Sequence, residues 1–297
     1  MKQSILVAGG TGNLGGRIIN ALLDRHANVR MIVREGTDPV KFLKLQEQGV
    51  EVIVVDMLNI EALTKVCSGV ACVVSALQGL HDVIVDTQKA LLDAAVAAGV
   101  PRFIPSDYSL DFTKLPAGEN RNFDLRREFH QHLEKAPIAA TSIFNGAFAD
   151  ILTYNIPVLD FKKKMVGYWG SEVNWQLDFT TMDETAAFTA AVALDSSASR
   201  ALNIASFQVS PKELVAIASE VFSSPYNLIS MGSLEDFAAY NRRQRAANPE
   251  GENETFPRWQ SGQYMHDMFS THHETLDNNR YPDLKWTSAS DFIKSIF

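Results

Sequence analysis

The residues with the clearest chemistry open the chain. Gly9, Gly12 and Gly15 recur at three-residue spacing directly after the apolar run Ile5-Leu6-Val7-Ala8. The first glycine permits a sharp turn out of a strand, the second lets the backbone close on a pyrophosphate, and the third lets helix and strand pack closely. From Arg17 to Arg25 the apolar residues recur at helical spacing. A helix starting there offers unpaired N–H groups and its positive dipole end to the phosphates of a dinucleotide. Neither Gly-Lys-Ser nor Gly-Lys-Thr follows the glycines, so this is not a nucleoside-triphosphate loop.

The next apolar run, Val29 to Val33, ends at Arg34. About 20 positions beyond such a turn, a carboxylate accepts the ribose 2′-hydroxyl, whereas an arginine pairs with a 2′-phosphate. Arg34 therefore favours NADP over NAD; the competing reading is a solvated arginine beside Glu35. Lys41 either adds a second positive charge to the same phosphate or stays in solvent. Tyr108, just past a later strand, is the candidate proton donor. His130 and His132 are two apart on a helix, face different ways and read as solvated side chains. His266, Asp267, His272 and His273 match no ligand spacing and read as a surface cluster, so no metal is expected. Cys67 and Cys72 lack the Cys-x-x-Cys spacing and read as buried free thiols. Tyr168 and Trp169 either line a substrate pocket or fill a core.

These residues need a scaffold. With 297 residues, 46% of them hydrophobic, the chain can bury a sizeable core. Its net charge of −8 argues against a nucleic-acid partner. The first strand starts within a few residues of the N-terminus and no apolar run spans a membrane, so the expected location is cytoplasmic. Helical patterns at residues 38–48, 60–66, 82–98 and 123–135 alternate with strand patterns at 51–55, 71–75, 102–104 and 140–144. Such alternation predicts an α/β fold, a Rossmann-type doubly wound parallel sheet. Ligands bind beyond the carboxyl ends of its strands, where Asp56, Met57, Ser75, Ala76 and Pro105 to Tyr108 fall.

The pattern changes near residue 150. Residues 162–166 and 173–177 read as short strands around a turn at 167–170, followed by an Asp183-capped helix and a strand near 201–204 returning to the main sheet. Ser210 to Glu213 reads as a capped helix start, and 113–122 and 248–257 as polar loops. The expected division is a dinucleotide-binding domain at 1–150 and a smaller C-terminal α+β substrate lobe at 151–297.

Five stretches together resemble the NmrA-like and isoflavone-reductase-like group of atypical short-chain dehydrogenases: residues 9–15, Val33-Arg34, Val73-Val74-Ser75-Ala76, residues 103–108 and residues 141–148. The resemblance covers roughly the first half of the chain. It implies an NADP-binding Rossmann domain with a small substrate lobe. It implies that Gly9, Thr11, Gly12, Asn13, Leu14 and Gly15 surround the pyrophosphate, Arg34 the 2′-phosphate, and Asp56 and Met57 the adenine side. Ser75, Ala76, Pro105, Asn145 and Phe148 would meet the nicotinamide ribose and ring. The group includes reductases of plant phenolics, quinone reductases, and regulators that bind the dinucleotide without turning it over. Its reductases place a lysine in the helix before the sixth strand; here residues 122–134 contain none. An arginine there stays charged and cannot donate a proton. Two functions stay open: an NADPH-dependent reductase of a small aromatic, quinone-like or enone substrate, and a redox sensor acting through a protein partner.

Overall fold

The computed structural model describes residues 2–296. Its first strand, β1 (Ser4–Ala8), holds Ile5, Leu6, Val7 and Ala8 at 0% exposure, as a central parallel strand covered on both faces must. Along the chain follow α1 (Asn13–Asp24), β2 (Asn28–Val33), α2 (Leu43–Glu47), β3 (Glu51–Val54), α3 (Ile60–Cys67), β4 (Cys72–Ser75), α4 (Gln88–Ala97), β5 (Arg102–Ile104), α5 (Arg121–Leu133) and β6 (Ala139–Ala140). The six strands form one sheet in the order β3-β2-β1-β4-β5-β6, parallel throughout. The order reverses between β1 and β4, and that switch point is where a doubly wound sheet opens a crevice.

The chain divides into two compact units: Met1–Asp107, Asp124–Ile143 and Thr185–Leu202 form the first, and Tyr108–Phe123, Phe144–Glu184 and Asn203–Phe297 the second. In the first, Leu6, Ile32, Val73 and Phe103 of the sheet pack with Leu63, Leu91, Phe129 and Leu133 of the helices. Cys67 and Cys72 are buried free thiols, as expected, and burial pushes them up to about 11 and about 12.

Two of the predicted helices are not single α-helices. Residues 38–48 split into a 3₁₀ turn, Pro39–Lys41, capped by Asp38, and then α2. Before α4, Asp82–Thr87 forms a π-helix.

Beyond β6 lie β7 (Ser142–Phe144), β8 (Ala147–Phe148), β9 (Met165–Tyr168), β10 (Leu177–Thr180), α6 (Met182–Leu194), β11 (Ala201–Asn203), β12 (Phe207–Val209), α7 (Pro211–Val221), β13 (Asn227–Ser230), α8 (Leu234–Ala247), α9 (Arg258–Met268) and α10 (Ala289–Ser295). β11 pairs with β7, β12-β10-β8 form a three-stranded sheet, and β13 pairs with β9. The second unit's core gathers Phe112, Phe123, Phe144, Phe179 and Trp169. Trp169 stacks on Phe237 at 4.5 Å, so it is core, and Tyr168 packs partly buried against the same cluster.

Several local readings are corrected here. Gly167 and Tyr168 lie within β9 rather than in a turn, and the strand expected at 173–177 starts only at Leu177. The hydroxyl of Thr181, not Asp183, receives the N–H of Glu184 at the start of α6. The capping box at Ser210 and Glu213 is present as expected.

Candidate functional site

In the first unit the glycine turn is dictated by packing. Gly9 has φ +86°, and a Cβ on it would strike the carbonyl oxygen of Ala76. A Cβ on Gly15 would strike the carbonyl oxygen of Gly9. Thus β1, the loop after β4 and α1 meet at backbone contact, which leaves these two positions to glycine. Gly12 is different, because a Cβ there meets only the Gly9 oxygen, at 3.2 Å. Gly12 is also the N-cap of α1 and gives it no side-chain cap, and no acidic residue occupies the first turn. Thr11, Gly12 and Asn13 are exposed. An uncapped twelve-residue helix with bare first-turn N–H groups at a switch point has the chemistry to accept an anion.

The other strand ends arrange themselves around this turn. Arg34 follows the last residue of β2 and is exposed; among the described residues its guanidinium has no partner, while its carbonyl accepts the Thr37 hydroxyl at 2.7 Å. Lys41 closes the 3₁₀ turn, also exposed. Beyond β3, the Asp56 carboxylate accepts the Leu58 N–H at 3.0 Å, and Met57 is buried. Ser75 ends β4 at 0% exposure, its hydroxyl without a partner among the described residues, and the Ala76 N–H donates to the Ala8 carbonyl at 2.8 Å. Beyond β5 come Pro105, Ser106 and Asp107, all buried. One unit therefore brings Gly9 to Gly15, Arg34, Lys41, Asp56, Met57, Ser75, Ala76 and Pro105 to the carboxyl ends of one parallel sheet.

Tyr108, Asn145 and Phe148 belong to the second unit. Tyr108 is buried. Asn145 lies beyond β7 at 0% exposure, its backbone carbonyl accepting the Thr180 hydroxyl at 2.6 Å. Among the described residues neither its side-chain oxygen nor its side-chain nitrogen has a partner. A buried carboxamide with both ends unsatisfied is costly, and it is the kind of exception a ligand resolves. Gly146, at φ +64°, presses on the Asp178 backbone.

Sequence reasoning missed a buried network at the end of β5. His130 is 8% exposed rather than solvated, and its Nε2–H donates to the Asp107 carboxylate at 2.7 Å. Burial drives the Asp107 carboxyl upward, but His130, Ser142 and Arg126 together hold it below the usual carboxylate range. The available signal was the four-residue spacing of Arg126 and His130 on α5, which places both on one face. His273 and Asp267 are likewise buried, not a surface cluster, and burial holds the His273 imidazole below its ordinary value. Among the described residues no group of three His, Cys, Asp or Glu is placed to hold a metal ion. One Tyr-x-x-x-Lys spacing does occur, at Tyr281 and Lys285, outside the strand ends considered above. Pro282 follows the tyrosine and the stretch is turn rather than helix, so the pair lacks the helical register that spacing serves. A groove lined by Lys2, His26, Arg30 and Glu51 lies at the amino ends of the strands, the wrong end for this site.

The NmrA-like family model matches residues 1–241. This chain belongs to the NmrA-like family. Pinoresinol reductase 1 of Arabidopsis thaliana is 26% identical over an alignment covering 99% of this chain and 96% of that protein. Among solved structures, AtPrR2 with NADP⁺ and (+)-pinoresinol is similar at a TM-score of 0.80 and 23% identity, covering 100% of this chain and 99% of that one. The Escherichia coli NADPH-dependent quinone oxidoreductase complexed with NADPH is similar at a TM-score of 0.74 and 20% identity, covering 99% of both chains. At such identities the two structures establish the NmrA-like fold, a parallel sheet wound with helices. Among the described residues of this family member, no helix is long and apolar enough to cross a membrane.

Proposed function

We propose that this NmrA-like chain is an NADPH-dependent reductase of a small planar aromatic, quinone-like or enone molecule. One observation carries the reading: at the switch point, α1 presents an uncapped N-terminus beneath the glycine turn, and the next strand ends in an unpartnered arginine. A pyrophosphate suits the first, and a 2′-phosphate suits Arg34, with Lys41 offering a second positive charge. Asp56 and Met57 take the adenine side; Ser75, Ala76, Pro105, Asn145 and Phe148 take the nicotinamide side. The Asn145 carboxamide offers both donors and an acceptor to a partner amide. When bound, NADPH supplies the hydride. Tyr108 or water supplies the proton, since α5 carries no lysine and its arginines stay charged. A quinone-like acceptor tolerates this, because it needs little acid assistance. Similarity to a pinoresinol reductase and a quinone oxidoreductase supports the same substrate class.

The absent helix lysine favours a second reading, a redox sensor that docks a protein partner, against which those two reductases weigh. Separate titrations with NADPH, NADP⁺, NADH and NAD⁺, on the natural chain and on Arg34→Ala, test both. Preference for NADP(H) that collapses in the variant supports the assignment, and an unchanged preference ends it. A redox sensor needs about tenfold discrimination between reduced and oxidised cofactor, about 1.4 kcal/mol. Near-equal affinities leave the reductase, to be followed by a quinone and enone turnover screen.

A further inference from the structure

The turn at residues 105–107 is held far more tightly than a loop at a strand end requires. The Ser106 N–H donates to the Gln88 side chain at 2.9 Å, its hydroxyl to the Leu77 carbonyl at 2.6 Å, and its carbonyl accepts Arg126 Nε at 3.1 Å. The Asp107 N–H closes on the Pro105 carbonyl at 2.9 Å, and its carboxylate takes the His130 Nε2–H and a hydrogen bond from Ser142. Two residues are thus tied to Leu77, Gln88, Arg126, His130 and Ser142, all within the first unit. Asp107 is 0% exposed, and a buried carboxylate is costly unless it is paired. Arg126 and His130, one turn apart on α5, supply that pairing.

We propose that His130 is a positioning residue. Its hydrogen bond to Asp107 locks the 105–107 turn in one arrangement, and so fixes the backbone that borders the nicotinamide side. The proposal rests on the cofactor reading above for what the turn borders, but not for the lock itself. His130 works here through its Nε2–H as a donor to Asp107. A glutamine in its place can still reach Asp107 with an N–H, whereas an alanine cannot.

The test compares His130→Ala and His130→Gln with the natural chain in three measurements: urea midpoint, NADPH affinity, and single-turnover oxidation of bound NADPH by a 1,4-naphthoquinone. With a loosened turn, His130→Ala should slow hydride transfer about 10- to 100-fold. NADPH affinity should change less than about threefold, and His130→Gln should restore most of the rate, a pattern that lost stability alone does not produce. A folded His130→Ala chain with the natural rate overturns the proposal, as does a His130→Gln chain no faster than alanine. A fourth measurement, amide hydrogen exchange on the natural chain, needs neither substrate nor variant. The Ser106 and Asp107 amides should exchange as slowly as those of β5, and rapid exchange refutes the lock. If the natural chain binds no NADPH, the cofactor reading fails while the exchange result still decides the lock. The exchange result also decides it if His130→Ala does not fold.

Discussion

Asn145 is where the proposed cofactor site carries a stability cost. Its carboxamide is fully buried and has no partner among the described residues, so the folded protein bears a desolvation cost that a bound amide would relieve. Asn145→Ala should therefore leave the ligand-free chain as stable as before or about 1 kcal/mol more stable, while weakening turnover. Urea midpoints with and without NADPH measure this. A ligand-free chain clearly destabilised by the change would show that the amide is supported by the protein itself. Arg34 stands at the opposite extreme, exposed and at no cost to folding, so Arg34→Ala should spare the urea midpoint while removing about 10- to 100-fold of NADP affinity, the strength of hydrogen bonds to a charged group. Both residues were singled out in the sequence as candidates, Arg34 from its place at a strand end and Asn145 only through resemblance. His130 was not, because its role comes from Asp107, a carboxylate 23 residues away that only the fold brings within 2.7 Å.

Elements were legible where their own residues determine them. The apolar runs that became β1, β2, β4 and β5 needed no partner to be read, since burial on both faces writes itself into composition, and β3, at the sheet edge with Val54 exposed, was legible from its β-branched residues alone. Failures cluster where a tertiary partner decides. Residues 82–87 have ordinary helical periodicity, yet wind as a π-helix where Gly79 packs against Val83 with no room for a Cβ. The stretch 113–122 looks like a solvated loop, but its end is buried: Asn120 donates to Asp267 at 2.7 Å, and Arg121 donates to the carbonyls of Gly251, Glu252, Glu254 and Thr255. Trp259 lies under that guanidinium at 4.8 Å and under Arg245 at 5.0 Å, and Arg245 pairs with Glu252 at 2.6 Å. The polar segment 249–255 is thus a strap pinned mainly from the head of α5 by Arg121, with Asn122 donating to the Thr255 carbonyl at 3.0 Å. Arg121→Met keeps much of the volume but strands those carbonyls, and should cost about 3 kcal/mol in urea unfolding. Proteolysis should then cut first within 249–255; a variant that unfolds normally and resists cleavage there would show the strap to be held by other contacts.

For the molecule as a whole, the buried titratable groups set how stability responds to acid. His273 is 2% exposed and burial lowers its imidazole below the ordinary value, so between about pH 6.5 and that lowered value the unfolded chain binds the extra proton. Its contribution is present above about pH 6.5 and is lost as pH falls through that window, at up to about 1.4 kcal/mol per pH unit. His81 has the opposite sign: Glu128, at 2.9 Å, and then Asp86 raise it, partly offset by desolvation, so its contribution is present below about pH 6.5 and is lost as pH rises. That pair is half exposed and screened by solvent, so His273 dominates. Asp107, held low, acts only at stronger acidity, below about pH 3.9. The groups can be told apart because His81 and Asp107 lie in the first unit, whereas His273 and all four tryptophans, Trp169, Trp175, Trp259 and Trp286, lie in the second. Tryptophan emission therefore reports the unit that His273 titrates in. Its urea midpoint should fall between pH 7.5 and pH 5.5 in the natural chain, and should change much less in His273→Gln, which has no proton to gain. An equal fall in both would assign the acid sensitivity of the second unit to other groups, leaving the buried imidazole a spectator.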